Sequence, residues 1–377
     1  MEIDNDPLIK SVVRESVRQW KADVSEDAGV QESFDSYSRY IHHKLVFIAI
    51  CVVLTFLIAG FSLSVGDYDI GFWETYQIVI DDILGVSTTG MKHFIVMDLR
   101  MPRLLTAIIA GVGLAIAGVA MQSTLLNPLA DPYTTGVSSG ALLGATLAMV
   151  SGISLVSSAQ YGIVVNAFIF ALIPMFVITF VAKIKQSSPT TMIMTGIAVM
   201  YIFSAVTTVI KLYAEPEALK ELYEWQIGSL GFTKMENIPV MLAFVAAGAF
   251  ILQVLSRKLN VLATGDESAK GLGIDADRLR NVILVVVSLV TAAVVSFTGM
   301  IGFVGLVAPH IVRLFIGADN KYLLPASAAL GALLLVVSDL VGRTIIAPSI
   351  LQVGVVTSFL GGPLFLWLII RKKSNVW

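Results

Sequence analysis

The residues best suited to binding another protein lie between Ser256 and Arg280, in a polar stretch flanked by long apolar segments. It carries charged side chains of both signs with a surplus of Lys and Arg, and loops of that kind stay in the cytoplasm. Gly265, Gly271 and Gly273 interrupt it and predict two short helices rather than a flexible linker. Two charged helices at a membrane face suit docking onto a soluble protein. An ordinary cytoplasmic loop is the alternative interpretation.

The sequence offers no pattern for catalysis or metal binding. His42, His43, His93 and His310 are scattered without metal-ligand spacing, and the single cysteine, Cys51, falls in an apolar run. The GxxxxGK[ST] phosphate-binding loop is also missing, so the chain has no usual means of holding ATP. We therefore predict no catalytic residue, no metal and no cofactor. The net charge of −2 gives no indication of nucleic-acid binding.

The elements that position the polar stretch are membrane spans. Of the 377 residues, 56% are hydrophobic and only 14% are charged, and the mean hydropathy is +0.84, which is typical of a polytopic membrane protein. Helices are the expected spanning elements, because lipid cannot satisfy open backbone groups. The fold class predicted is an all-α membrane protein, a bundle of about ten transmembrane helices. The apolar segments are 45–64, 100–121, 136–154, 161–182, 190–212, 238–255, 281–301, 303–317, 322–342 and 350–370.

The first 44 residues differ from the rest. Apolar residues recur at helical spacing from Leu8 to Trp20 opposite basic ones, which predicts an amphipathic helix on the membrane surface or else a disordered tail. We therefore divide the chain into an N-terminal extension, 1–44, and a transmembrane domain, 45–373. With the N-terminus inside, the cytoplasmic connections hold more Lys and Arg than the outer ones, which predicts that both termini are cytoplasmic.

A few polar residues lie within or beside the spans. A charge inside a bilayer needs a partner, so we expect Asp339 to pair with Arg343 four residues later, near the outer boundary. His310 is expected to cap or pack within the short eighth segment. Asn127 and Asp131 are expected to cap broken helix ends. Small residues recur every four positions in the second, third and tenth segments and predict close helix packing.

Six short motifs occur in order along the chain: RMPR at 100–103, NPLADP at 127–132, GVSSG at 136–140, GFVGLVAPH at 302–310, GVVT at 354–357 and GGPLF at 361–365. Together they resemble the motifs of the FecCD family, the permease subunits of ATP-binding-cassette importers for iron–siderophore, haem and cobalamin. The resemblance covers roughly residues 45–373. It implies the cobalamin-importer permease architecture, a homodimer, two ATP-binding subunits inside and a binding protein outside.

The resemblance also assigns two sets of residues. It makes 256–280 the coupling loop, which contacts the ATPase that binds ATP. It makes three arginines at span ends the docking points for acidic residues of the binding protein, a role that suits their planar, bidentate donors. The coupling residues are Leu262, Gly265, Asp266, Glu267, Ala269, Gly271 and Gly273, and the docking residues are Arg100, Arg103 and Arg343.

The resulting hypothesis is a cell-membrane permease, in contact with membrane lipid, that moves a metal chelate inward. An ion-coupled secondary transporter is the alternative, and it would need a carboxylate or histidine cluster at mid-membrane. An intramembrane enzyme would need paired acids, a Ser/His pair or a metal triad within the spans. The sequence shows neither pattern.

Overall fold

The computed structural model describes residues 14–16, 18, 28–66, 68–86, 90–185 and 188–371. Two units are distinguished along the chain, Met1–Ala49 and Ile50–Trp377. The first unit contains the whole predicted extension, 1–44, and most of its amphipathic segment from Leu8 to Trp20 lies outside the described residues. Where residues 1–44 are described, they are helical.

The described residues form α-helices joined by short turns, and none of them lies in a β-strand. The helices are α1 (Ala28–Ser64), α2 (Phe72–Ile83), α3 (Met91–Phe94), α4 (Met101–Thr124), α5 (Val137–Met149), α6 (Ala159–Lys185), α7 (Pro189–Leu212), α8 (Pro216–Ile227), α9 (Ile238–Val254), α10 (Ser256–Leu262), α11 (Asp266–Gly271), α12 (Ala276–Thr298), α13 (Val304–Ile316), α14 (Asn320–Thr344) and α15 (Val353–Arg371).

The ten predicted apolar segments correspond one by one to helices. Among the described residues, 7 helices are long and apolar enough to cross a membrane, and three shorter apolar helices, α5, α13 and α15, account for the other segments. The polytopic all-helical prediction is confirmed, and so is the short eighth segment.

Local sequence explains where the helices begin. Ser188 accepts a hydrogen bond from the Thr191 amide just before Pro189, a residue suited to the first helical position. Asp275 accepts from the Arg278 amide at the start of α12, and Asp319 accepts from the Lys321 amide at the start of α14. Each carboxylate or hydroxyl satisfies a backbone donor that the first helical turn would otherwise leave without a partner.

Helix α4 lies at the centre of the membrane unit. In the most apolar 18 residues of the span that contains α4, 83% of the residues are buried within the chain. The corresponding share for α7 is 17%, so α7 is a peripheral helix. Helix α4 packs on α14 through Gly111 and Gly331, where an added Cβ on Gly111 would lie 2.3 Å from the carbonyl oxygen of Gly331. The contact is backbone to backbone, so the small-residue spacing predicted from sequence does bring helices close together.

Two interruptions of the helices are bonded to each other. The chain leaves α4 through a turn that leads into a short 3₁₀ helix, Pro132–Thr135, and it leaves α12 through residues 299–303, where Phe303 has a φ of 68°. The Tyr133 hydroxyl donates to the carbonyl of Ile301 at 2.9 Å and accepts from its amide at 3.1 Å. Both backbone groups of an irregular residue are thereby satisfied without water.

Polar residues near the spans act mainly on backbone groups. Asp131 caps the 3₁₀ helix by accepting from the Tyr133 amide, as expected, whereas Asn127 accepts from the Leu129 amide within a turn. Asn166 bonds both Ile153 and Leu155 and so holds the loop after α5 against α6. His310 bonds the Leu306 carbonyl of its own helix and packs edge-on against Phe365.

Candidate functional site

The coupling loop forms two short helices, α10 and α11, separated by a turn at Thr264 and Gly265. Gly265 has a φ of 108° and Gly273 a φ of 74°, values that an L-residue with a side chain rarely adopts. Gly271 ends α11 with an ordinary backbone conformation and open space around it. The division into two helical pieces is confirmed, and two of its three glycines are needed for backbone conformation.

The predicted coupling residues divide into an inner and an outer group. Leu262 and Ala269 are completely buried, so they hold α10 and α11 on the bundle. Glu267, Gly271 and Gly273 are exposed and remain available to a partner. Asp266 lies between the groups, because it is half-buried and bonded to a residue of α12.

Leu272 was missed by the sequence prediction. Its side chain is 68% exposed at the tip of the coupling loop, between Gly271 and Gly273. An exposed large apolar side chain beside charged groups suits the centre of a protein interface better than contact with water. An apolar residue between two glycines in a polar loop was the available signal.

Arg280 is the second residue that the prediction missed, since it was counted only as a cytoplasmic charge. Its side chain is completely buried. The guanidinium bonds Asp266 of α11 at 2.5 Å, lies 3.5 Å from Asp277 and donates from Nε to the Thr124 carbonyl at 3.2 Å. Thr124 is the last residue of α4. Arg280 therefore joins the second coupling helix to the end of the central helix.

The first coupling helix, α10, is also connected to the end of α4, through residues of α14. The Asn260 side chain donates to Asp319 at 2.7 Å and accepts from the Asn320 amide at 2.8 Å. The Ser123 hydroxyl then donates to the Asn320 side chain at 3.1 Å. Helix α10 is thus bonded to the beginning of α14, and α14 is bonded to the last turn of α4.

The neighbouring residue of α4 makes a third connection. Gln122 donates to the Gly305 carbonyl at 3.3 Å and accepts a hydrogen bond from Arg313, both of α13. Gln122, Ser123 and Thr124, which we name the hub, are buried and hold contacts from α13, α14 and α12 in turn. Buried polar groups with partners stay in a fixed arrangement, because breaking them leaves unsatisfied donors and acceptors. The hub therefore fixes the coupling loop to the core of the bundle.

The three arginines predicted for docking lie at the other end of α4 and α14. Asp339 of α14 bonds Arg103 at 2.6 Å and Arg343 at 3.0 Å, so the expected pair with Arg343 is confirmed and joined by a second cation. The Asp339 side chain is only 3% exposed, and each of the two arginines is 12% exposed. Their shared carboxylate ties α4 to α14.

Two of the three arginines, Arg343 and Arg100, also bind the end of the first span. Arg343 donates to the carbonyl oxygens of Ser62 and Val65 at 2.9 and 3.1 Å. Arg100 donates to Leu63, Ser64 and Tyr68 at 2.7 to 2.9 Å. Ser62, Leu63 and Ser64 are the last residues of α1, where the helix leaves its carbonyl acceptors without intrahelical donors. Val65 and Tyr68 follow in the connection just beyond the helix. All three arginines thus have structural contacts within the chain, whatever else they bind.

Comparisons with known proteins identify the family of the chain. The model of the FecCD transport family matches residues 51–371. The cobalamin import system permease protein of Halobacterium salinarum is 40% identical over 79% of this chain and 79% of its own length. The hemin transport system permease protein of Yersinia pestis is 34% identical over 86% of this chain and 95% of its own length.

A solved structure agrees as well. A metal-chelate type ABC transporter in an inward-facing conformation superposes with a TM-score of 0.76 and 27% sequence identity, over 86% of this chain and 99% of that chain. The family match covers nearly the whole membrane unit, including the coupling loop, the hub and the three arginines. The chain belongs to the FecCD transport family.

Proposed function

We propose that the chain is the membrane-spanning permease subunit of an ABC importer that carries a metal chelate inward and is driven by ATP hydrolysis in partner subunits. Two observations support this proposal. The chain belongs to the FecCD transport family, and its charged two-helix loop is bonded to the core of the bundle through Arg280. A loop held in this way can pass the movement of a docked ATPase to the spans as a rigid-body rotation.

The proposed assembly contains two copies of this chain, two ATP-binding subunits and an extracytoplasmic binding protein. The chelate class is inferred from relatives that import cobalamin and hemin. We further propose that both termini are cytoplasmic, which places the coupling loop on the ATP-containing side. An ion-coupled secondary transporter is not favoured, since the structural neighbour is an ABC transporter.

Docking of the binding protein at Arg100, Arg103 and Arg343 remains part of the proposal. Its support is their place at span ends opposite the coupling loop. The side chains of Arg103 and Arg343 are each only 12% exposed, so docking at this end would depend on several pairs acting together.

The experiment that tests the function is reconstitution. The chain is placed in proteoliposomes alone, with the partner ATPase subunits, and with both the ATPase subunits and the binding protein. We expect ATP hydrolysis only when the ATPase subunits are present, and uptake of a labelled chelate, supplied as cobalamin, haem or a ferric siderophore, only in the complete system. Uptake driven by an ion gradient without ATP, or ATP turnover by the chain alone, would contradict the proposal.

The coupling glycines supply a second prediction. Gly273→Ala places a side chain at a φ of 74°, which costs about 1–2 kcal/mol, whereas Gly271→Ala meets open space in a helical conformation. We expect Gly273→Ala to lower the number of chelates imported per ATP hydrolysed and Gly271→Ala to match the parent. If the two variants have equal effects, then the positive φ of Gly273 is not the reason that transport requires a glycine at this position.

A further inference from the structure

Helix α2 has three different faces. Successive residues turn by about 100°, so Thr75 and Ile78, which are buried, lie on one side, and Glu74 and Asp81 lie on a second. Trp73, Ile80 and Ile83 lie on a third side and are exposed. The exposed apolar side is about 120–160° from the other two sides, which are about 80° apart. A helix in this arrangement contacts protein, water and a third environment that accepts large apolar groups.

The packing of α2 places it beside a membrane span rather than beyond it. The Tyr76 ring lies against Gly60 of α1, where an added Cβ would be 1.9 Å from the tyrosine oxygen. Tyr76 also contacts the Phe56 ring, with centroids 6.0 Å apart. Phe56 is two turns before the end of α1 at Ser64, so about 12 Å of span extends beyond it. The aromatic residues of α2 are therefore alongside the last turns of the first span.

The third face is apolar and largely exposed in the monomer. The Trp73 ring contacts the Phe72 and Tyr76 rings at one edge, yet its side chain is 81% exposed. Ile83 is 76% exposed, and Leu84, just after the helix, continues the same stripe. The exposed Phe56 of α1 adjoins the stripe through its contact with Tyr76, so the stripe is continuous with the surface of a spanning helix. Contiguous apolar surface of this kind marks a site of interaction.

The polar contacts of α2 lie on the two sides away from the exposed apolar residues. Glu74 bonds Lys92 at 2.6 Å, and farther along the helix Asp82 bonds His93 at 2.8 Å. The hydrogen bond from Lys92 holds the pKa of Glu74 below its ordinary value, so the carboxylate stays charged. Charged groups on one side and Trp with branched aliphatic residues on another are the features of helices that lie in the interfacial layer of a bilayer.

We propose that α2 lies in the lipid interface at the arginine end of the bundle, with Trp73, Ile80 and Ile83 inserted among the upper acyl chains. It would hold the connection between the first two spans at a fixed depth, leaving the water-facing side of α2 clear of the membrane. This inference depends on the chain spanning a bilayer and does not depend on its cargo or on ATP.

The test uses quenching of tryptophan fluorescence in lipid nanodiscs. The difference in emission between the parent and Trp73→Phe isolates Trp73 and leaves the buried Trp225 in place. Quenching is measured with lipids brominated near the top of the acyl chains, with lipids brominated near the chain ends, and with acrylamide in water. The matched control carries Asp81→Trp with Trp73→Phe, which moves the indole to the water-facing side of the same helix.

We expect the shallow brominated lipid to remove most of the Trp73 emission, and to do so more strongly than the deep one. Acrylamide should quench Trp73 several-fold less than it quenches the tryptophan at position 81. Strong acrylamide quenching of Trp73 without lipid quenching would overturn the proposal by showing that this face contacts water. Protection from both quenchers would overturn it in favour of a second copy of this chain covering the stripe.

Discussion

Replacement of Arg280 by alanine is expected to reduce ATP-driven uptake by tenfold or more while ATP hydrolysis by the assembled complex continues. The reason is geometric, because Arg280 is the residue that bonds the second coupling helix to the last carbonyl of α4. In the Arg280→Ala variant we expect the ATPase to dock on the exposed part of the coupling loop as before. The movement of the docked ATPase is then no longer transmitted to the hub, because the bonds of Arg280 to Asp266 and Thr124 are missing. A tenfold loss corresponds to about 1.4 kcal/mol of lost coupling.

The variant should still fold. Asp266 and Asp277, the carboxylates that lose their partner, have side chains 35% and 49% exposed, so water can solvate them. Arg280→Lys keeps the charge and loses the fork that reaches three acceptors, so it should be intermediate. Arg278→Ala removes an exposed arginine two residues away and should behave like the parent.

Uptake and ATP hydrolysis are measured together in proteoliposomes, with the amount of assembled complex determined by size-exclusion chromatography. A parallel loss of ATPase binding in Arg280→Ala would show that the residue holds the docking surface rather than transmits its movement. Unchanged uptake per ATP would remove Arg280 from the coupling mechanism altogether.

Asp339→Asn is expected to destabilise the membrane unit more than any other isosteric change at this end of the bundle. The side chains of Arg103 and Arg343 are each only 12% exposed and share this one carboxylate, so the variant leaves two nearby buried cations without a counter-charge. Removing one partner of a buried ion pair typically costs about 3–5 kcal/mol. Asp98→Asn, which removes an exposed carboxylate, is the matched control and should be nearly neutral.

The measurement is thermal unfolding of the detergent-purified chain, followed by the accessibility of the buried Cys51 to a thiol reagent. A midpoint within one degree of that of the parent would show that the arginines do not depend on Asp339. The same preparations test docking. If the arginines also seat a binding protein, Asp339→Asn keeps salt-sensitive binding, because it retains their charge, whereas Arg103→Gln and Arg343→Gln weaken it.

The sequence predicted the fold well and the connections between its parts poorly. Apolar runs located the 7 described helices that are long enough to cross a membrane, because a bilayer imposes a length that composition reveals, and they also located the three shorter apolar helices. Glycines identified the break between α10 and α11, since few other residues adopt those backbone angles. Local spacing also predicted the bond between Asp339 and Arg343, because residues four apart share a helix face.

The missing part was long-range pairing. Arg280 and Thr124 are 156 positions apart, and Arg103 and Asp339 are 236 positions apart, so no periodicity connects them. The sequence assigned Arg103 only to docking, counted Arg280 only as a cytoplasmic charge and did not single out Thr124. The packing of α12 against α4 brings Arg280 to Thr124. The packing of α4 on α14 through Gly111 and Gly331 brings Arg103 to Asp339, and only the folded structure shows which glycines meet.

That helix pair has a thermodynamic consequence. It is bonded at one end through Ser123 and Asn320 and at the other through Arg103 and Asp339. If a partner bound at the arginine end changes the affinity of the coupling loop for its partner by some factor, then a partner bound at the coupling loop changes the affinity of the arginine end by the same factor. A reciprocal tenfold effect requires about 1.4 kcal/mol, the net free energy of roughly one buried hydrogen bond. Rearranging a single contact in the hub is therefore enough for each face of the membrane to respond to what is bound at the other.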